Sequence, residues 1–318
     1  MNSVQILIIA LVIDYFIGDP EEIWRRFPHP AVVMGKVVDF LDRVLNAGSF
    51  RFTKGIFAAI LLILLGLLLG LLYRSLPDFG LAPIALIYDL IEIVLVSILL
   101  AHRSLISHVE NVANGLTRSV QEGRQFVSYI VGRETSNMTE SDVSRAAVES
   151  VAENFSDGVI APALWYLFFG LPGLLVYKLI NTADSMVGYQ NEKYRLFGFG
   201  SAKADDILNF IPARFTGALM CAIYQSKDAF DTMVSDADLH RSLNAGWPEA
   251  AIASILGVAL SGPRSYPDQS ISQDSYLNPR GRMELNREDI RGAISVLQRT
   301  WLCFAAILAF LVILIWLL

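Results

Sequence analysis

Residues 55–72 read GIFAAILLILLGLLLGLL, a run of apolar side chains without a single charge. A helix needs roughly 20 such residues to cross the hydrocarbon core of a bilayer, so this stretch predicts a membrane-spanning helix. Residues 82–101 and 301–318 predict two more. Residues 4–18 are also apolar; no basic residue precedes them and no small-residue cleavage site follows. We therefore expect a retained first membrane helix and not a cleaved signal peptide.

The composition of the whole chain is also typical of a membrane protein. Of its 318 residues 54% are hydrophobic and 18% are charged, and the mean hydropathy is +0.47. Soluble domains carry about 25% charged residues. The net charge of -6 and the pI near 5.3 give no electrostatic support for binding nucleic acid. Cys221 and Cys303 are too few for a disulfide framework or a thiolate metal site, and we expect both to be inert.

The basic residues are distributed unevenly between the connecting segments. Residues 19–54 carry many of them, and so does the stretch just before the last apolar run, whereas the link at 73–81 carries a single arginine. The positive-inside rule then places 19–54, 102–156 and 264–299 in the cytoplasm and both termini outside. We expect a multi-pass protein of the cell (inner) membrane whose active site faces the cytoplasm.

The motif Gly170-Leu-Pro-Gly173 interrupts the apolar stretch at 159–180. Each half is then about eleven residues, or about 16 Å, roughly half the thickness of a bilayer. A re-entrant hairpin would return Asn181 and Asp184 to the side that holds Glu153 and Asp157. The alternative is a single spanning helix that tolerates its proline.

The remaining segments predict helices as well. Residues 102–156 are too polar for the membrane and have helical periodicity, and Thr139-Glu-Ser-Asp142 is a capping box that begins a new helix. Residues 207–224 and 249–262 are further apolar helices of undetermined depth. The predicted fold is all-α, a polytopic integral membrane helical protein with cytoplasmic helical segments. In one of the two interpretations of residues 159–180 it also contains a re-entrant hairpin. We predict one integral membrane domain, 1–318, with 102–156 as a cytoplasmic helical subregion.

Carboxylates and amides cluster in three places beside apolar stretches, at 149–158, 181–188 and 201–209. Because burial of an uncompensated carboxylate is costly, carboxylates at a membrane edge need a partner. Mg²⁺ takes oxygen ligands, keeps several waters and bridges to substrate phosphates. The alternative for Asp205 and Asp206 is charge that complements a helix dipole. The predicted metal ligands are Glu153, Asp157, Asp184, Asp205 and Asp206.

Lys203 and Arg214 are the candidate phosphate contacts, because arginine offers a two-pronged donor and lysine a point charge. The alternative is that both side chains extend along apolar surface to the cytosol. No Walker A spacing occurs in the chain, so ATP would bind by another route. His29, in a rigid loop after Asp19, and His240 are candidates whose alternative is an ordinary polar loop residue.

Seven ordered motifs resemble the cobalamin-biosynthesis adenosylcobinamide-phosphate synthase family (CobD/CbiB type). The resemblance extends from about residue 10 to 300; one departure is Leu243, where the family usually has proline. The motifs are Gly18-Asp-Pro20, His29-Pro-x-x-x-Met-Gly35, Glu149-x-x-x-Glu-Asn-x-Ser-Asp-Gly158, Asn181-Thr-x-Asp-Ser-Met-x-Gly188, Lys203-x-Asp-Asp206, Pro212-Ala-Arg214 and Asn244-Ala-Gly-Trp-Pro-Glu-Ala250.

The resemblance implies an enzyme that joins adenosylcobyric acid to (R)-1-amino-2-propanol, usually as its O-phosphate, through an amide bond. It implies ATP as the energy source together with Mg²⁺, and the membrane lipid as surroundings. ATP can phosphorylate the acid, and a metal neutralises the moving charge before the amine attacks. We expect catalytic roles for Lys203, Arg214, Asp19 and His29. We expect substrate contacts from Asn154, Asn181, Ser185, His240, Arg241 and Asn244.

A different class of function is a nonenzymatic membrane sensor, as in the related family associated with β-lactamase regulation. A transporter is a weaker third option, because it would need polar residues through several spanning helices. The runs at 55–72 and 301–318 have no charged residue. The Asn, Asp, Lys and Arg motifs on the expected cytosolic edge favour the enzyme.

Overall fold

The computed structural model describes residues 1–76, 85–263 and 274–317. Two short strands, β1 (Leu260–Ser261) and β2 (Tyr276–Leu277), form an antiparallel pair. The described helices are α1 (Ser3–Phe16), α2 (Glu21–Trp24), α3 (Pro30–Leu45), α4 (Arg51–Ser75), α5 (Ala85–Leu99), α6 (His102–Arg118), α7 (Val120–Val127), α8 (Glu140–Phe155), α9 (Ala161–Val187), α10 (Phe199–Ile223), α11 (Lys227–Asp236), α12 (Gly246–Leu256) and α13 (Arg287–Leu317). A π-helical turn (Ser156–Ile160) joins α8 to α9, and a 3₁₀ turn (Ala237–Leu239) follows α11.

The predicted fold class, an all-α polytopic membrane protein, is confirmed. Five described helical stretches are long and apolar enough to cross a membrane, and α1 is a shorter apolar helix. The stretches are Arg51–Ser75, Leu86–Arg118, Glu140–Val187, Phe199–Ile223 and Arg287–Leu314. The predicted spans at 55–72, 82–101 and 301–318 fall in α4, α5 and α13. Residues 100 and 101 lie beyond the end of α5, and residues 82–84 and 318 lie outside the described part.

One predicted helix ends earlier than expected, and two predicted segments lie partly outside the described residues. The apolar stretch predicted as a helix over 249–262 ends as a helix at Leu256, because Gly257 takes a left-handed conformation (φ 66°) and the chain continues into β1. Residues 77–81 of the predicted link and 264–273 of the predicted cytoplasmic stretch lie outside the described residues. The assignment of segments to the two sides of the membrane stays a prediction.

The chain packs as two compact units. The first unit comprises Met1–Ala101, Gly158–Asn209 and Leu311–Leu318. The second comprises His102–Asp157 and Phe210–Phe310, and so includes the whole stretch predicted as a cytoplasmic subregion, 102–156. That these units form one functional domain stays a prediction.

In the first unit, α4 and α9 approach each other closely through glycines. A Cβ atom built on Gly66 would lie 2.8 Å from the backbone nitrogen of Val176, and one on Gly70 would lie 2.4 Å from Cα of Pro172. Larger side chains at these two positions would push the helices apart, which is why small residues favour close helix packing in membranes. The pairing of 66 with 176 and of 70 with 172 makes the two segments antiparallel.

The chain reverses its direction inside α9, at Gly170. This residue has φ 65° and ψ -154°, a conformation outside the helical region that glycine adopts without steric cost. A Cβ atom built on Gly173 would lie 2.5 Å from the carbonyl oxygen of Trp165. Eight residues of unbroken helix would extend about 12 Å, so Trp165 and Gly173 can meet only if the chain folds back.

The leg before Gly170 packs along α5. At one end of α5, Ala101 N donates to the Gly158 carbonyl at 3.1 Å, and further along Tyr166 Oη donates to Glu92 Oε1 at 2.7 Å. The first leg is therefore antiparallel to α5, just as the second is antiparallel to α4. The predicted hairpin is confirmed as a reversal of the chain, and the alternative of one continuous helix is wrong.

The second unit is built around α8, which packs against α6, α7 and α12. The predicted capping box is confirmed, since Thr139 Oγ1 accepts from Asp142 N at 3.2 Å and Asp142 Oδ2 accepts from Thr139 N at 3.0 Å. Glu149 is buried and accepts hydrogen bonds from Arg133 Nη2 at 2.6 Å and from Ser261 N at 2.7 Å. This glutamate thus fastens α8 to β1 and has a structural role.

Candidate functional site

Asp205 is a buried carboxylate in α10 and is held by two amide groups. Its Oδ1 accepts from Asn181 Nδ2 at 3.2 Å, and its Oδ2 accepts from Asn209 Nδ2 at 2.9 Å. Asp205 is 8% exposed and Asn209 only 1%. The predicted spacing is confirmed, because residues 205 and 209 are one turn apart on the same helix. Within the described part of the chain, no lysine, arginine or histidine forms an ion pair with Asp205.

Tyr177 completes this network, and sequence reasoning missed it. Its hydroxyl donates to Asn209 Oδ1 at 2.8 Å, which obliges the NH₂ group of Asn209 to face Asp205. Tyr177 lies one turn before Asn181 on the second leg of the hairpin, so one helix face delivers both residues. The only signal in the sequence was a tyrosine within an apolar run at that spacing.

Both legs of the hairpin reach the same turn of α10. Trp165 Nε1, on the first leg, donates to the Leu208 carbonyl at 3.1 Å, and Tyr177, on the second leg, bonds Asn209. In an unbroken helix, Trp165 and Tyr177 would be about 18 Å apart along the axis. The reversal at Gly170 therefore brings both legs of α9 into contact with this turn of α10.

Lys203 and Asp206 form an ion pair one turn apart on α10. Lys203 Nζ lies 2.6 Å from Asp206 Oδ2, and the side chain of Lys203 is 59% exposed. A pair of this kind contributes little stability on a surface. Lys203 is accordingly available to exchange Asp206 for an anionic ligand.

Asp184 and Ser185 lie at the end of the second leg. Ser185 Oγ donates to the Asn181 carbonyl at 3.0 Å, and Gly188 N donates to the Asp184 carbonyl at 2.7 Å. A Cβ atom on Gly188 would lie 2.0 Å from Asp184 Oδ1, so the carboxylate of Asp184 folds over a position that only glycine can occupy. This contact explains the glycine that closes the motif.

Asp19 and His29 lie within hydrogen-bonding distance of each other. His29 Nε2 lies 3.2 Å from Asp19 Oδ1, while His29 Nδ1 accepts from Ala31 N at 3.1 Å and caps α3. Because Nδ1 accepts a backbone proton, neutral His29 carries its own proton on Nε2 and donates it to Asp19. Both ring nitrogens thus form hydrogen bonds, so neither is left to accept a proton from a substrate. The role of His29 is to hold Asp19 in place.

Glu153, Asn154 and Asp157 lie where α8 passes into the π-helical turn. Asn154 Nδ2 donates to the Ser150 carbonyl at 2.8 Å, and Glu153 is exposed. A π turn inserts one extra residue into a helix and is frequent at functional sites, since it re-aims the side chains that follow. Here it coincides with the Ser-Asp-Gly part of the motif.

Arg214 contacts Asn244 in the second unit. Arg214 Nη1 donates to Asn244 Oδ1 at 3.3 Å and to the Phe210 carbonyl at 2.8 Å. The guanidinium carbon lies 3.5 Å from the ring centroid of Phe210 and 4.4 Å from that of Trp247. The structure thus brings Arg214, a candidate phosphate contact, beside Asn244, an expected substrate contact.

His240 is buried against Glu249 at the start of α12. His240 Nδ1 accepts from Ser242 N at 3.1 Å, so Nε2 carries the proton and faces Glu249 Oε2 at 3.8 Å. A Cβ atom on Gly246 would lie 2.2 Å from the Ala237 carbonyl oxygen, which explains the glycine in this loop. Arg241 is exposed.

The metal assignment stays a prediction. No group of three or more His, Cys, Asp or Glu side chains within residues 1–76, 85–263 and 274–317 is arranged to hold a metal ion. Mg²⁺ commonly takes only one or two protein carboxylates and completes its shell with water and substrate phosphate. The buried carboxylate of Asp205, with a lone pair left on each oxygen, fits this chemistry.

Comparison with known proteins places the chain in a family. Residues 7–297 match the family described as CobD/Cbib protein. The chain is 45% identical to a Brucella anthropi protein named cobalamin biosynthesis protein CobD, over 93% of this chain and 92% of that protein. It is similar to proteins of the same name from Sinorhizobium fredii (40% identity, covering 97% and 96%) and Halalkalibacterium halodurans (38%, covering 95% and 94%). No solved structure matches the chain. The chain therefore belongs to the CobD/Cbib protein family.

Proposed function

We propose that this protein acts in cobalamin biosynthesis as a membrane-bound synthase. It joins the free carboxylate of adenosylcobyric acid to the amine of (R)-1-amino-2-propanol O-phosphate through an amide bond, and it consumes ATP. The names of the relatives support the pathway, and the sequence motifs support the reaction. The observation that carries the proposal is the buried carboxylate of Asp205, held by Asn181 and Asn209 beside the Lys203–Asp206 pair.

The reaction proceeds in two steps. The substrate carboxylate attacks the γ-phosphorus of ATP, and ADP leaves. The amine then attacks the acyl carbon, the bond from carbon to the phosphate oxygen breaks, and phosphate leaves with its electron pair. The nitrogen also loses a proton, which we assign to Asp19, since the hydrogen bond from His29 holds this carboxylate in place.

Other side chains bind the phosphates, the metal ion and the substrates. Lys203 and Arg214 hold phosphate oxygens. Mg²⁺, when bound by Asp205 and Asp206 with Asp184, Glu153 and Asp157 as further candidates, supplies charge neutralisation for phosphoryl transfer. Substrate contacts come from Asn154, Asn181, Ser185, His240, Arg241 and Asn244.

An assay of ADP release tests the proposal. The protein in detergent or nanodiscs should release ADP only when adenosylcobyric acid, aminopropanol phosphate and Mg²⁺ are all present with ATP. Omission of the corrinoid serves as the control for unrelated ATPase activity. ADP release that is independent of the corrinoid would contradict the proposed reaction. Absence of any ADP release would favour the alternative of a nonenzymatic membrane sensor.

We also propose that the site faces the cytoplasm of a cell whose inner membrane holds the protein. The excess of lysine and arginine in 19–54 supports this orientation. In a variant with Ser at 221 and 303, a cysteine at position 43 should resist a membrane-impermeant maleimide added to intact cells, and a cysteine at 78 should react. Permeabilised cells should show labelling at both positions. Efficient labelling of position 43 from outside would reverse the topology.

A substitution at Gly188 tests the placement of Asp184. We expect Gly188→Ala to lower kcat by about 10- to 100-fold, since a new Cβ at 2.0 Å from Asp184 Oδ1 must displace that carboxylate. The measurement is steady-state ADP release by purified protein. Gly132→Ala is the matched control, because a Cβ there meets nothing within 4 Å. Wild-type turnover in Gly188→Ala would show that Asp184 does not belong to the site.

A further inference from the structure

The guanidinium of Arg214 lies close to two aromatic rings. Phe210 precedes it by one turn on α10, and Trp247 belongs to the first turn of α12. The guanidinium carbon is 3.5 Å from one ring centroid and 4.4 Å from the other, well inside the range of a cation–π contact. Both rings are thus close enough to hold the group in place, and its N–H donors lie along its edges.

The hydrogen bonds of Arg214 determine which edge is open. Nη1 has two hydrogens, and the two acceptors bonded to it are the Phe210 carbonyl and Asn244 Oδ1. Among the residues that the structure describes, no acceptor bonds to Nε or Nη2. These two nitrogens form the side-on edge that binds a carboxylate or phosphate with two parallel hydrogen bonds. Asp238 attracts the cation electrostatically.

The loop that carries Asn244 and Trp247 is ordered by its own hydrogen bonds. Ser242 Oγ accepts from Asn244 N at 3.3 Å and from Ala245 N at 3.2 Å, and Trp247 N donates to the Asn244 carbonyl at 3.1 Å. The partners that fix the guanidinium are therefore themselves fixed. Preorganisation of this kind lowers the entropic cost of binding an anion.

We infer that Arg214 presents its Nε–Nη2 edge as a preset two-donor site for a phosphate oxyanion, with Phe210 and Trp247 as positioning residues. The inference deepens the proposed function and rests on it for the identity of the phosphate. That phosphate belongs either to the phosphorylated amino alcohol or to ATP, and both offer the same pair of oxygens. Lysine cannot replace arginine here, because an ammonium does not donate two parallel hydrogen bonds from a flat edge.

Calorimetric titration of the full-length protein in nanodiscs tests the inference without requiring turnover. The three probes are (R)-1-amino-2-propanol phosphate, unphosphorylated 1-amino-2-propanol, and the nonhydrolysable ATP analogue AMP-PNP with MgCl₂. Arg214→Lys should weaken one or both phosphorylated probes by about tenfold or more, which is the expected loss for a hydrogen-bonded charge. It should leave the unphosphorylated amine unchanged. Weakening of the amino alcohol phosphate alone identifies it as the occupant, and weakening of AMP-PNP alone identifies the nucleotide.

Two further variants separate positioning from general stability. Trp247→Leu should reproduce part of the selective loss, whereas Trp247→Phe, which keeps an aromatic face, should restore binding. A merely structural role would weaken all three probes together. Arg299→Lys is the matched control, because Arg299 stacks on Tyr224 at 5.8 Å and has no assigned role in the site.

The outcomes for the inference and for the proposed function are distinct. Arg214→Lys with wild-type affinity for every probe, or wild-type protein that binds neither phosphorylated probe, would overturn the anion site. If the wild type binds the phosphorylated probes selectively but releases no ADP, the anion site would be supported and the proposed synthase activity would be contradicted.

Discussion

Asp205→Asn should abolish synthase activity, with kcat lowered by about 100-fold or more, while the protein still inserts in the membrane. The substitution removes the negative charge that Mg²⁺ would bind. It also places an NH₂ group opposite either Asn181 or Asn209, both of which donate to Asp205. Two facing donors cannot satisfy each other, so the network around Tyr177 must rearrange.

The measurement is ADP release over a range of Mg²⁺ concentrations. Asp206→Asn should also lose activity, because it removes the carboxylate that pairs with Lys203. Asp39→Asn is the control, since Asp39 forms an exposed pair with Arg43 on α3. Near-normal turnover of both Asp205→Asn and Asp206→Asn at low Mg²⁺ would show that the metal assignment is wrong. A melting temperature unchanged from wild type would separate loss of chemistry from loss of folding.

Replacing Gly170, Pro172 and Gly173 together by leucine should abolish activity more completely than it lowers expression. Leucine at 170 is strained at φ 65°, and a side chain at 173 would collide with the Trp165 carbonyl. The chain would then favour a continuous helix and carry Tyr177, and with it Asn181, away from α10. Activity and membrane yield measured on the same preparation test this expectation.

Gly48→Leu controls for the strain alone. Gly48 also has a positive φ of 65°, but a Cβ there meets nothing within 4 Å. It should therefore lose some stability and keep its turnover. Full activity in the triple leucine variant would show that the hairpin is dispensable for the site.

The fold could be predicted from the sequence wherever a single segment determines its own structure. The run at 55–72 specifies a spanning helix by hydropathy and length, independently of its neighbours. The capping box at Thr139 is likewise local. The hairpin at Gly170 is only partly predictable from the sequence, because glycine and proline permit a reversal without requiring it. The packing against α4 and α5 decides whether the chain reverses.

The site could be predicted only in part, for a related reason. Asp205 and Asn209 share a helix, so their spacing was visible in the sequence. Tyr177, Phe210 and Trp247 were missed, because an aromatic residue in an apolar stretch usually belongs to the core. The roles of Tyr177 and Trp247 also depend on contacts between segments far apart in the chain, and hydropathy does not encode such contacts.

Isotope transfer tests the central claim most directly. Adenosylcobyric acid labelled with ¹⁸O in its free carboxylate should be incubated with ATP, Mg²⁺, aminopropanol phosphate and the wild-type protein. Activation through an acyl phosphate predicts that mass spectrometry finds the amide product together with inorganic phosphate that carries one ¹⁸O atom. Absence of the amide product, or amide formed while the released phosphate stays unlabelled, would contradict the account.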